Sequence, residues 1–275
     1  MNCVTRTRSP IAFAELPPKG ERGALRLEYQ WLNPNLRDAP LAVFLHEGLG
    51  SIAMWKAWPQ TVCDRLGFRG LVFSRPGYGQ STPREPGVKW PVDFLHRQAR
   101  DVLPSLLDAL GLDSRERASM WLIGHSDGDS IALLYAAAFP DSIRGTVVIA
   151  PHVFVEQMCV DAIARVRQDY ESTGLRDKLS RYHADVDSAF FGWNDVWLDP
   201  AFRARDMRGL LPLITCPLLA IQGYADEYAS MEQIDSIQAK VPHARLLKLA
   251  DCGHSPHRDA PEAMNDAIAS FIDAV

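Results

Sequence analysis

The chain has 275 residues, 47% of them hydrophobic and 23% charged, with a formal net charge of −5. These proportions fit one large α/β domain, or one domain with an insertion, and supply enough apolar material for a sizeable core. They argue against nucleic-acid binding, because the basic residues are scattered and no Lys/Arg block interleaves with aromatics. Five cysteines (Cys3, Cys63, Cys159, Cys216, Cys252) are odd in number and far apart, which predicts free thiols in a reducing compartment rather than a disulfide framework. Met1 to Arg6 lack the apolar segment of a secretory signal, and no apolar run approaches a membrane span. The expectation is a cytoplasmic protein acting on a small molecule, with no nucleic-acid or membrane partner and with a homodimer open as its assembly.

Up to about Gly23 the sequence carries few signals beyond a turn at Pro17-Pro18 and Lys19-Gly20. Residues 24–31 alternate apolar and polar, predicting an edge strand with one face covered. Leu41-Ala42-Val43-Phe44-Leu45 is continuously apolar, as in a parallel strand buried on both faces, and runs into the glycine-bearing loop His46-Glu47-Gly48-Leu49-Gly50-Ser51. A helix is predicted near 54–66 and a strand over 70–74. A Pro- and Gly-rich loop follows, then a long amphipathic helix over 92–110 closed by Gly111. The apolar run Trp121-Leu122-Ile123, a second helical pattern over 131–139 and a strand over 144–150 come next.

From Pro151 to about Leu211 the rhythm changes to helical stretches (155–173, 175–182, 186–191) with clustered aromatics (Phe190, Phe191, Trp193, Trp197, Phe202). A stretch of about 60 residues is long for one crossover, so 151–211 is expected to be a helical cap inserted into a core made of 1–150 and 212–275. Alternation then resumes: strand 217–221, helix 230–240, strand 244–249, helix 261–272. Strands alternating with helices imply a mostly parallel sheet whose ligands gather at the strand carboxyl ends.

The sharpest signal is Gly124-His125-Ser126-Asp127-Gly128, placed between a predicted strand and a predicted helix. Such a turn forces the serine into a strained backbone conformation and lifts its hydroxyl above the sheet. The two glycines are expected where a Cβ would collide, and the helix start offers N–H groups to an oxyanion.

With His46-Glu47-Gly48-Leu49-Gly50, Gly223-Tyr224-Ala225-Asp226 and Gly253-His254, in that order, the chain resembles the α/β-hydrolase superfamily from about Leu41 to its C-terminus. The resemblance implies a mostly parallel sheet with helices on both faces, no cofactor, and a nucleophile, acid and base in the chain order Ser, Asp/Glu, His. It assigns Ser126 as nucleophile, Asp226 as acid with Glu227 its rival, and His254 as base with His257 its rival. The resemblance further implies oxyanion donors at the Asp127 and Gly48 amides, with Glu47 the fallback for the second. His46 and His125 are expected to pack rather than react. Cys252, His254 and His257 also read as a sparse metal-ligand pattern, but no second ligand pair is evident and none is expected.

Two residues depart from the family pattern. Glu47 stands where the loop commonly carries glycine, and either recognises a cationic group or caps a turn; Asp129 replaces another common glycine and brings a carboxylate near the serine. The aromatic cap, with Glu47, Trp55, Tyr78, His152 and Trp193 as candidate substrate contacts, suggests a mainly apolar substrate. Arg75 either binds a substrate carboxylate or braces its loop. A serine excludes the dehalogenase branch, which uses aspartate there. The leading expectation is hydrolysis of a small carboxylic ester or lactone; the alternatives are C–C bond hydrolysis of the meta-cleavage type and a non-catalytic binding protein.

Overall fold

The computed structural model describes residues 7–275. Cys3 and the stretch Met1 to Arg6 lie outside the described residues. An eight-stranded sheet runs in the order β1-β2-β4-β3-β5-β6-β7-β8. Its strands are β1 (Ala12–Leu16), β2 (Leu25–Leu32), β3 (Leu41–Leu45), β4 (Arg69–Phe73), β5 (Trp121–His125), β6 (Gly145–Ile149), β7 (Leu218–Gly223) and β8 (Arg245–Leu249). The β1–β2 and β2–β4 pairs are antiparallel and all the others parallel. This is the α/β-hydrolase arrangement expected from the sequence.

Burial on both faces shows in β3. Leu41, Val43 and Leu45 enter one core cluster, while Ala42 and Phe44 enter a second cluster on the opposite face. A strand flanked by helices on both sides needs apolar side chains at every position, which explains its unbroken apolar run.

The helices are α1 (Trp58–Leu66), α2 (Phe94–Arg97), α3 (Leu103–Ala109), α4 (Ser114–Ala118), α5 (Asp127–Ala138), α6 (Gln157–Ser172), α7 (Leu175–Leu179), α8 (Val186–Trp197), α9 (Glu232–Lys240), α10 (Pro256–Asp259) and α11 (Pro261–Asp273). Helices α6, α7 and α8 fill the segment between β6 and β7, joined to β7 by short 3-10 turns at Phe202–Ala204 and Leu211–Leu213.

Several boundaries differ from the sequence reading. The true edge strand is β1, so the alternating strand over 24–31 lies one place inside the sheet. Only Ala14 and Leu16 of β1 are buried, too few for its alternation to stand out. The helix expected over 92–110 is interrupted by a π-helical turn at Gln98–Val102, where Leu103 N–H donates to Gln98 O. Pro104 opens the next helical stretch, and a proline cannot supply its own rung to the ladder, so the hydrogen bonds slip by one residue. The short α4 carries a full capping box, in which Asp113 accepts from Glu116 N–H and Glu116 reaches back to Asp113 N–H. Cys63, Cys159, Cys216 and Cys252 are buried free thiols. No described helix is long and apolar enough to cross a membrane.

Candidate active site

Ser126 stands between β5 and α5 with φ 55° and ψ −117°. That φ is disfavoured for a residue with a Cβ, and it is held by the surroundings. Ser126 N–H donates to Ile149 O at 3.0 Å, and Ser126 O accepts from Asp129 N–H at 3.0 Å. The flanking glycines are there for space: a Cβ on Gly124 would sit 2.3 Å from Gly128 O, and one on Gly128 would sit 1.9 Å from Leu45 O. Both obstacles are backbone, which cannot yield cheaply.

Asp226 and His254 arrive on neighbouring loops. A Cβ on Gly223 would lie 2.0 Å from Cys252 O, so only glycine lets the end of β7 touch the loop after β8. Ala225 N–H then donates to Cys252 O at 3.0 Å. His254 Nδ1 lies 2.9 and 3.0 Å from the two Asp226 carboxylate oxygens, and Tyr228 N–H donates to Asp226 Oδ1 at 2.9 Å. Burial pushes the Asp226 carboxyl up, but the His254 hydrogen bond and charge outweigh it and hold the group below its usual range. His254 Nδ1 is the donor in this contact, which leaves Nε2 as the acceptor nitrogen of the neutral ring. Glu227, the rival acid, instead accepts from His254 N–H at 3.3 Å.

Ser126, His254 and His152 line one cavity of about 250 Å³, together with Glu47, Gly48, Trp193 and Trp197. Among the described residues Ser126 Oγ forms no hydrogen bond with His254; such bonds are often long before a substrate compresses the site. A larger groove of about 540 Å³ lies elsewhere, between the N-terminal hairpin and residues 82–102. Its wall residues Arg22 and Asp101 already pair at 2.8 Å, and it holds none of the residues above.

The loop after β3 is fixed through one carbonyl. Glu47 O accepts from His46 Nδ1 at 2.7 Å, Arg75 Nη2 at 2.9 Å and Gly50 N–H at 3.0 Å. In a trans peptide the N–H points opposite to the C=O, so anchoring Glu47 O inward turns Gly48 N–H outward. Neither Gly48 N–H nor Asp127 N–H donates to a described acceptor. Gly48 must be glycine here, because the Trp193 indole nitrogen would lie 2.2 Å from any Cβ. His183 clamps the same loop from the segment before α8: its Nδ1 accepts from Gly79 N–H and its Nε2 donates to Leu49 O, both at 3.0 Å.

Arg75 braces the loop rather than facing substrate. It is 1% exposed, and its Nη2 lies 3.2 Å from Asp127 Oδ2, whose carboxylate is wholly buried. Trp197 Nε1 donates to the other Asp127 oxygen at 2.9 Å. The Asp127 side chain is thus a structural anion beneath the elbow, a role that motif reading alone does not reveal. Arg75 Nε and Nη1 are buried without a partner.

Of the other candidate contacts, Glu47, His152 and Trp193 line the cavity, whereas Trp55 and Tyr78 do not. Trp55 is 2% exposed and stacks on Trp58 at 5.2 Å, and Tyr78 is 1% exposed against His46 at 5.2 Å. Both are core residues, because the loops carrying them fold inward beneath the cavity floor. Asp129 likewise points away. It is fully buried, its Oδ1 accepts from His152 N–H at 3.3 Å, and burial raises its carboxyl well above the usual range. Buried and outside the cavity lining, it does not meet an incoming substrate. His46 and His125 are packed as expected; His125 Nε2 donates to His254 O at 2.7 Å, tying the elbow to the loop of His254. His257, the rival base, also lines the cavity, but burial pushes it down to about 3. His152 is pushed down to about 3 by burial and by the charge of His254. Cavity residues that the sequence did not single out, such as Met54, Ile163 and Leu179, come from three separate elements (the β3–α1 connection, α6 and α7) and carried no local motif.

A family model described as the alpha/beta hydrolase family matches residues 42–267. Among curated proteins, the chain is 28% identical over 210 residues to serine hydrolase BPHL of Mus musculus, covering 71% of this chain and 66% of that one, just under two thirds. It is 24% identical to the sn-1-specific diacylglycerol lipase ABHD11 of Mus musculus, covering 97% and 93% of the two chains. Its fold matches the enol-lactonase from Burkholderia xenovorans LB400 with a TM-score of 0.74 and 18% identity, covering 95% of this chain and all of that one. With the family match spanning most of the sheet and every motif above, the chain belongs to the alpha/beta hydrolase family.

Proposed function

We propose that the protein is a cofactor-free serine hydrolase that cleaves a small carboxylic ester or lactone through an acyl-enzyme. Ser126 attacks the carbonyl while His254 Nε2 takes its proton. Asp226 holds His254 in the required tautomer and stabilises the imidazolium, and the Gly48 and Asp127 amides receive the oxyanion. His254 then protonates the leaving alcohol, activates water, and the acyl group departs as the carboxylic acid. The observation that carries this reading is the contact of His254 Nδ1 with both Asp226 oxygens, beside a strained serine on the same cavity.

Residues 151–211 serve as the cap: α6 contributes Cys159, Ile163 and Val166 to the cavity, and α8 contributes Trp193 and Trp197. A cavity of about 250 Å³ under an apolar roof favours a short acyl group over a long lipid chain. The names of the lipase and lactonase relatives, both enzymes of acyl–oxygen bonds, agree with this choice. The test is turnover of p-nitrophenyl acetate, butyrate and dodecanoate by the parent and Ser126→Ala proteins. Butyrate should be cleaved well and dodecanoate poorly, and Ser126→Ala should lose at least about a thousandfold in kcat. Equal turnover by both proteins would reject the assignment.

A further inference from the structure

Among the charged groups of the cavity that the chemistry above leaves unused, Glu47 stands out. Glu47 lines the cavity with its side chain 25% exposed, and its carboxylate accepts no hydrogen bond from any described residue. Among the described residues no lysine or arginine pairs with it; the facing group is His125 Nδ1, 3.7 Å from Glu47 Oε2. His125 Nε2 must carry hydrogen, because its partner, His254 O, can only accept. In the neutral ring Nδ1 is therefore bare, and the carboxylate faces an acceptor.

An anion that is partly withdrawn from water and lacks donors is costly unless a ligand supplies them. This one is also aimed. A Cβ on Gly50 would come within 2.6 Å of Glu47 Oε2, so the absence of a side chain there lets the carboxylate fold over its own loop. Its backbone is immobilised by the three donors on Glu47 O, and the next residue is Gly48. Leu49, Met54, Ile163 and Leu179 give the wall apolar stretches, and its other charged groups already have partners: Glu227 Oε2 accepts from His254 N–H at 3.3 Å, and Arg258 Nη2 donates to Ser255 Oγ at 2.6 Å.

We propose that Glu47 is a specificity residue that binds a protonated amine of the substrate, so that the preferred ester or lactone carries an ammonium group a few bonds from the scissile carbonyl. The ammonium supplies charge-assisted hydrogen bonds that the protein does not. This assignment rests on the serine-hydrolase reading for its location, since Gly48 places the carboxylate one residue from the oxyanion. The same chemistry serves an amine on the acyl side or on the alcohol side.

The test compares esters that differ only in replacing a carbon by a protonated nitrogen. Ethyl 3-aminopropanoate against ethyl butanoate probes the acyl side, and 2-(dimethylamino)ethyl butanoate against 3-methylbutyl butanoate probes the alcohol side, with acid release followed at constant pH. For one of the two pairs kcat/KM should favour the amine at least tenfold, and Glu47→Gln should reduce that ratio at least tenfold. In parallel, calorimetric titration of Ser126→Ala with propylammonium chloride and with propanol should show ammonium binding that is lost on adding Glu47→Gln. Ratios at or below one for both pairs, a ratio unchanged in Glu47→Gln, or equal ammonium binding with and without Glu47 overturns the proposal. If Glu47→Gln does not fold, the parent ratios decide alone. Absence of any ester turnover would sink the serine-hydrolase reading instead, and the ammonium titration would still decide the subsite.

Discussion

Replacing Arg75 by methionine keeps most of the side-chain volume and removes the cation beneath the nucleophile elbow. Asp127, wholly buried, would then retain only Trp197 Nε1 as a side-chain partner. At 3.2 Å and an effective dielectric of about 20, the lost attraction is about 5 kcal/mol. Breaking buried pairs by removing one partner costs about 3–5 kcal/mol. Because Arg75 Nε and Nη1 are themselves buried without partners, removing them recovers some desolvation cost, and the lower end, about 3 kcal/mol, is expected. Adding Asp127→Asn removes the stranded charge and should restore about 2 kcal/mol. Urea unfolding read by the fluorescence of the seven tryptophans measures each corner of this cycle. Ester turnover should fall about tenfold in Arg75→Met, since Glu47 O loses one of its three anchors and the loop bearing Gly48 loosens. A loss under about 1 kcal/mol in Arg75→Met, or strictly additive effects in the double variant, would show that Arg75 and Asp127 do not act as a pair.

Three further outcomes follow from the same geometry. Ser126→Gly removes the Cβ that opposes a φ of 55°, so the variant should be inactive yet about 1 kcal/mol more stable, visible as a raised Tm. Gly128→Ala drives a Cβ to within 1.9 Å of Leu45 O and should cost about 3 kcal/mol in urea unfolding, with activity lost as the elbow shifts. Burial lowers both His152 and His257 from the ordinary 6.5 to about 3, so below pH 6.5 the unfolded chain binds protons that the folded one refuses. Each histidine's stabilising contribution is fully present above that pH and should decline as pH falls toward 3, by up to about 1.4 kcal/mol per pH unit. Melts at pH 7.5 and pH 5 should show the decline, and His257→Gln should lessen it.

The parts of the fold that could be read from sequence are those where local pattern and tertiary demand coincide. The run Leu41–Leu45 is apolar throughout because both faces of β3 are covered, and Gly124 and Gly128 are glycines because backbone atoms occupy the space beside them. Strand β1 was not legible, since five residues at a sheet edge with two buried side chains leave too short a pattern. The slip at Gln98–Val102 depends on Pro104 acting on a ladder that periodicity does not report. In the site, Ser126, Asp226 and His254 could be placed by chain order. The pairing of Arg75 with Asp127, by contrast, joins loops 52 residues apart without a motif. Trp55 and Tyr78, candidate substrate contacts from the sequence, do not reach the cavity, because aromatic packing with Trp58 and His46 draws both rings inward.

The central claim, that Ser126 is a nucleophile activated by His254, is tested most directly by intact-mass and peptide mass spectrometry after treatment with a fluorophosphonate. The account predicts a single adduct on Ser126, absent in Ser126→Ala and formed at least a hundredfold more slowly in His254→Ala. Failure to label Ser126 while p-nitrophenyl butyrate is still hydrolysed, or an adduct on another residue that accounts for the loss of activity, would contradict it.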